Sequence, residues 1–153
     1  ALINIGGNIL AFGKHGERNW VVGIQNPRKP NALATISLKP GWTIGTSGDY
    51  QRYIMVNNQR YSHLINPETG YPESKTQSAT ILMPPSEASG VLSDVFSKPL
   101  FITSKKNKAN MAKLLNIKYF LIVTDDQSIL ISEALNKKIN WEDSIDKKII
   151  TIL

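Results

Sequence analysis

Short runs of apolar and β-branched positions between turn residues make the first two thirds of the chain read as strand after strand, with a period near two clearest over Leu33 to Leu38. Leu2 to Phe12 is a β-rich run broken at Gly6-Gly7, and Trp20 to Gln25 (WVVGIQ) is a second strand closed by the turn at Asn26-Pro27. Leu33 to Leu38 and Trp42 to Ser47 follow. Tyr53 to Val56 and Gln59 to Leu64 flank Asn57-Asn58, a two-residue hairpin turn, because Asn tolerates positive φ. Ser78 to Met83 is a strand stopped by Pro84-Pro85.

The period then changes to that of a helix. Ser86 has the character of an N-cap with Glu87 in the first turn, and Val91, Leu92, Val95, Phe96, Leu100 and Phe101 recur at helical spacing up to about Ile102. Pro99 predicts a kink or a join, since it removes the bond to residue 95. A second helix spans about Lys105 to Leu115 with Met111, Leu114 and Leu115 inward. Tyr119 to Thr124 and Ser128 to Ser132 form a hairpin around Asp125-Asp126, and Lys148 to Leu153 is a last strand. The expected class is α+β: a largely antiparallel sheet with two helices packed on one side, in a single domain over residues 1–153.

Composition narrows this little. The chain has 153 residues, 41% of them hydrophobic and 20% charged, an ordinary globular balance. No apolar run approaches the roughly 20 residues of a membrane span. With no cysteine, disulfides and thiolate metal sites are excluded. The net charge is +6, much of it in Ser104 to Lys118, which carries no aromatic residue; a solvated helix face accounts for it and a nucleic-acid partner is not expected.

Chemistry concentrates in four places: Gly6-Gly7-Asn8, Ser47-Gly48-Asp49-Tyr50, His63 ahead of Asn66-Pro67, and Asp94 with Lys98. Gly6-Gly7 permits a bulge or a close approach of backbone to a ligand. Ser47-Gly48-Asp49 reads equally as a turn in which Asp49 bonds its own backbone. His63, in a strand before a proline-fixed turn, can accept a proton near neutral pH or donate to a phosphate oxygen; a half-buried strand histidine bonded to a carbonyl is the plain alternative. Asp94 and Lys98 are either an i,i+4 surface pair or a carboxylate and its neighbour at a diphosphate. A GxSxG elbow, a Walker A loop, a GxGxxG helix start and an HExxH pair are all absent.

Taken in order, these features resemble the ApbE-type flavin transferases, the FAD:protein FMN transferases. The resemblance is carried by NIGGNILAFG (Asn4 to Gly13), TSGDYQRYI (Thr46 to Ile54), RYSHLINPETGYP (Arg60 to Pro72), SATILMPPS (Ser78 to Ser86) and SDVFSKPLFI (Ser93 to Ile102). It implies an ApbE-like, T-fold-related domain forming the C-terminal half of a longer enzyme, with an N-terminal half as partner. It further implies FAD as substrate, Mg²⁺, release of AMP, and transfer of FMN to a Thr or Ser of an acceptor flavoprotein. His63 matches the family's conserved histidine at the FAD, and Gly6, Gly7, Ser47, Gly48, Asp49 and Leu64 fall in the motifs around it. Asp94 and Ser97 match metal-site positions, while Lys98 stands where relatives have a metal-binding Thr. That departure allows an alternative, a non-catalytic flavin-binding or scaffold member in which Lys98 replaces the metal. By resemblance the location is periplasmic or membrane-anchored outside the cytoplasm, with the cytoplasm left open.

Overall fold

The computed structural model describes residues 1–153. Its centre is a seven-stranded sheet. Strands β1 (Leu2–Ile5), β2 (Asn8–Ala11), β5 (Thr43–Gly48), β8 (Thr76–Met83), β9 (Phe120–Thr124), β10 (Ile129–Ile131) and β12 (Ile150–Ile152) lie in that spatial order. All neighbours are antiparallel except β10 and β12. A second sheet of three strands, β11 (Ile139–Trp141), β4 (Ala32–Leu38) and β3 (Trp20–Gln25), covers one face, and helices α1 (Ser89–Ile102) and α2 (Lys108–Leu114) cover the other.

The central strands therefore face apolar material on both sides. Leu82, Leu121, Val123, Ile129 and Ile131 point into the core shared with the small sheet. Their chain neighbours Ile81, Phe120, Ile122 and Leu130 point into the core beneath the helices. This is why FLIV and ILI are unbroken apolar runs rather than alternating ones. The α+β class and the helices on one side are as expected. The small sheet on the opposite face is the layer that periodicity alone did not reveal.

Several local expectations change. Gly6 and Gly7 (φ 61° and 92°) form no bulge; they are the tight turn joining β1 to β2, with Ile5 opposite Asn8. The helix α1 starts three residues after Ser86, with Ala88 at its N-cap and no side-chain cap, and runs on through Pro99 without a join. Its buried face is not the apolar set. Ser89, Ser93 and Ser97 are buried with Leu100 and Phe101, whereas Val91 and Val95 are exposed. The reason is contact distance: small side chains and Gly45 let the helix backbone lie directly on β5. The second helix splits into a 3-10 turn at Lys105–Asn107 and α2, and Leu114 is 78% exposed while Lys108 and Ala112 are buried. A short helix α3 (Glu133–Asn136), capped by Ser132 Oγ accepting from Leu135 N–H, leads into β11; neither element was expected.

Asn57 and Asn58 do take positive φ (49° and 63°), and they join β6 (Tyr53–Val56) to β7 (Gln59–Ser62) as a separate two-stranded ribbon.

Candidate functional site

At the ends of β1, β2 and β5, where α1 crosses and the ribbon begins, a cleft of about 510 Å³ opens. Its wall includes Gly6, Asn8, Thr46, Ser47, Gly48, Tyr50, Arg52, His63, Asp94 and Lys98. Four segments distant in sequence thus meet there, and each of the four predicted clusters contributes: Asp94 and Lys98 in full, the others through Gly6 and Asn8, through Ser47, Gly48 and Tyr50, and through His63.

Each wall is held by a specific contact. Asn8 Nδ2 donates to Gly90 O at 2.6 Å, and Ser93 Oγ donates to Asn8 Oδ1 at 3.0 Å, fastening the glycine turn to the start of α1. Thr43 Oγ1 donates to Ser89 O at 3.0 Å. One helical turn beyond Ser93, Ser47 Oγ and Ser97 Oγ share a hydrogen bond of 2.6 Å, and Ser97 Oγ lies 2.7 Å from Asp94 O. The Tyr50 ring lies directly over Gly48, where a Cβ would overlap its Cε1 and Cδ1 edge and push the ring out of this place. Burial, with the Asp49 carboxylate beside it, raises the Tyr50 pKa, so the phenol stays a protonated donor in the cleft wall.

His63 stands exposed at the cleft mouth. Its backbone N–H donates to Arg52 O at 3.3 Å, and its Nδ1 lies 2.9 Å from the same oxygen. A carbonyl only accepts, so Nδ1 carries a proton; in the neutral ring the lone pair is then on Nε2, which no protein group engages. Across the cleft, Lys98 Nζ sits 2.8 Å from Asp94 Oδ2. Lys98 also borders a second groove of about 930 Å³, which runs between the Asn66–Glu68 turn and the ends of α1 and α2.

Not every predicted site residue lines the cleft. Gly7 borders a smaller adjoining pocket. Asp49 is buried and does not bond its own backbone; it takes a two-pronged bond from Arg28 Nη1 and Nη2 (2.7 and 2.6 Å), with Arg60 3.9 Å away. Leu64 is part of the core beneath the helices. The Ser97 hydroxyl is fully buried in its bond to Ser47. Conversely, Arg52 belongs to the wall though only the TSGDYQRYI string contained it, and Arg28 has no sequence signal as the partner of Asp49.

These features sit in a sequence whose relatives are informative. The sequence model of the ApbE family matches residues 1–121. This chain belongs to the ApbE family. It is 31% identical over 139 residues to an FAD:protein FMN transferase of Rhodobacter capsulatus, covering 91% of this chain and 26% of that protein. It is 31% identical to one from Haemophilus influenzae, covering 90% and 40%. The fold matches the crystal structure of the ApbE protein from Thermotoga maritima with a TM-score of 0.77 and 30% identity, over 90% of this chain and 44% of that one. The chain thus spans between about a quarter and less than half of the length of these ApbE relatives.

Whether a Mg²⁺ ion fits is a question for the donor set. Mg²⁺ needs oxygen ligands, usually including carboxylates. Here Asp94 is the cleft's one carboxylate, an ammonium already contacts it, and Ser97 Oγ is turned into the protein. No group of three His, Cys, Asp or Glu side chains gathers anywhere in the chain. The residues of this chain do not fit a Mg²⁺ site.

Proposed function

We propose that this chain is the C-terminal part of an FAD:protein FMN transferase, moving FMN from FAD to a Thr or Ser hydroxyl of an acceptor flavoprotein with release of AMP. The observation that carries the reading is His63, whose Nδ1 is tied to Arg52 O and whose Nε2 is an unengaged lone pair at the mouth of a cationic cleft. In the reaction the acceptor oxygen attacks the FMN phosphorus. Its proton passes to Nε2, and the bond to the AMP oxygen breaks with its electron pair leaving on AMP. The imidazolium then formed keeps its Nδ1–H on Arg52 O.

Lys98 and Arg52 supply fixed positive charge to the diphosphate, and Gly6 presents backbone without a side chain in the way. Mg²⁺ dependence is what the family resemblance implies. The remaining surfaces for flavin and adenine belong, on this reading, to an N-terminal half, and an extracytoplasmic location, periplasmic or membrane-anchored, goes with it.

The Asp94–Lys98 contact favours one second reading: a flavin-binding or scaffold member that holds FAD without cutting it. The experiment is incubation of the full-length protein with FAD and an extract from cells lacking it. AMP release together with covalent flavin on a protein band supports transfer. FAD binding without AMP release supports the second reading, and no FAD binding overturns both.

A further inference from the structure

The ribbon of β6 and β7 joins neither of the two larger sheets. Its outer strand, Tyr53-Ile54-Met55-Val56, has all four apolar side chains 42–64% exposed, on both faces of the ribbon. It pairs with β7 and with nothing else. A two-stranded hairpin alone is marginal in water.

The phase of its hydrogen bonds tells which groups are free. In a two-residue hairpin the pair next to the turn, here Val56 and Gln59, exchanges ladder bonds, and every second pair does the same. The pair at the base, Arg52 and His63, keeps that phase, with His63 N–H donating to Arg52 O. Tyr53 and Met55 fall between, so their N–H and C=O groups point away from β7 along an open edge. That edge runs straight into the cleft, because Arg52 immediately precedes β6, lines the cleft and orients His63.

We propose that the open edge of β6 receives an extended segment of the acceptor protein as an added strand, which delivers the hydroxyl to His63. This rests on the transferase reading above. The edge offers backbone donors and acceptors in strand register, which a peptide matches and a dinucleotide does not. Alternate apolar side chains grip the segment from both faces. With a rise of about 3.3 Å per residue, a residue one or two places beyond the stretch paired to Tyr53 and Met55 arrives at the Arg52–His63 end. The acceptor is thereby read through its backbone, with a Thr or Ser just past a short extended run.

The test is Met55→Pro in the full-length protein. It removes an outward N–H and no bond to β7, whereas Met55→Ala keeps the N–H and serves as the control. Covalent flavin on protein bands of an extract from cells lacking the enzyme is followed by in-gel fluorescence, and FAD affinity by flavin fluorescence. The expected result is labelling slowed by about tenfold or more in the Pro variant, as for loss of a strand contact worth one decade of affinity. FAD affinity should then be unchanged, and the Ala variant near wild type. Wild-type labelling by the Pro variant overturns the proposal. So does a parallel loss of FAD affinity and thermal stability, which would mean that another part of the same polypeptide covers the edge. If the wild type labels nothing, the transferase reading itself has failed.

Discussion

Lys98 Nζ donates to Asp94 Oδ2 at 2.8 Å and to Asp94 O at 3.0 Å, so a lysine closes on both the side chain and the backbone of the residue four places before it. Both side chains remain partly exposed, and such a pair contributes only about 0.5 kcal/mol. The ammonium is therefore free to turn to a better anion. A diphosphate is one.

The first prediction follows from that weakness. FAD affinity of the full-length wild type should differ by less than about threefold with and without Mg²⁺, a difference of well under 1 kcal/mol. Lys98→Thr, which removes the ammonium and supplies a hydroxyl, should bind FAD more weakly in chelator and regain affinity with Mg²⁺. An FAD titration under both conditions checks it. Strong Mg²⁺ dependence in the wild type would show that Lys98 does not stand in for a cation.

His63 gives the second. If Nε2 takes the acceptor proton, His63→Ala should lower FMN transfer by about 10²–10⁴-fold while FAD still binds. Single-turnover transfer measured beside FAD binding separates the two. An unchanged rate would leave His63 as a residue that merely closes the base of the ribbon.

Gly45 carries the third. A Cβ at this position would lie 2.6 Å from Ser93 O and 2.7 Å from Ser93 C, both backbone atoms of α1 that cannot swing aside. Gly45→Ala should destabilise the fold by about 1–3 kcal/mol, the usual cost of overpacking. Because the displaced helix carries Asp94 and Lys98, FAD affinity should fall with stability. Urea denaturation and FAD titration of the same variant test both halves.

The fourth concerns Lys108, 0% exposed, whose Nζ donates to Leu100 O (2.7 Å), Thr103 O (2.8 Å) and Thr76 Oγ1 (2.8 Å) and so closes the C-terminus of α1. Burial lowers its pKa from 10.5 to about 8. Between those values the unfolded chain holds a proton that the folded chain has released, so stability rises with pH across the window and levels off above it. Relative to Lys108→Met, the wild type should gain roughly 3 kcal/mol from pH 8 to 10.5. Denaturation curves at intervals across that range should show the slope in the wild type and its absence in the variant.

Much of the fold was legible because alternation, turn residues and the change to helical period agree with one another along the chain. What escaped was decided by packing. Lys108 reads as one more solvated lysine in a basic helix, and only the convergence of three acceptors at the end of α1 makes an interior place for it. Ser89, Ser93 and Ser97 read as the polar side of α1, yet they are the buried side, since close approach to Gly45 outweighs the burial of valines. At the cleft, the motifs led to His63, Gly6, Ser47, Gly48, Asp94 and Lys98 in one wall. They did not separate Asp49 and Leu64, which lie within the same strings but face Arg28 and the core.

The serine side of α1 has a consequence for how this protein can change over time. Ser89, through its carbonyl, and Ser93 and Ser97, through their hydroxyls, each meet a different partner, Thr43, Asn8 and Ser47, so the helix is fixed in rotation and in height by buried contacts. Asp94 and Lys98 project from the same helix into the open cleft, where a change of charge meets solvent rather than packing. Inheritance can therefore rewrite the electrostatics of the cleft without disturbing its frame. The charge that the cleft presents at position 98 is thus a fitting on the chassis, separable from the serines that seat the helix.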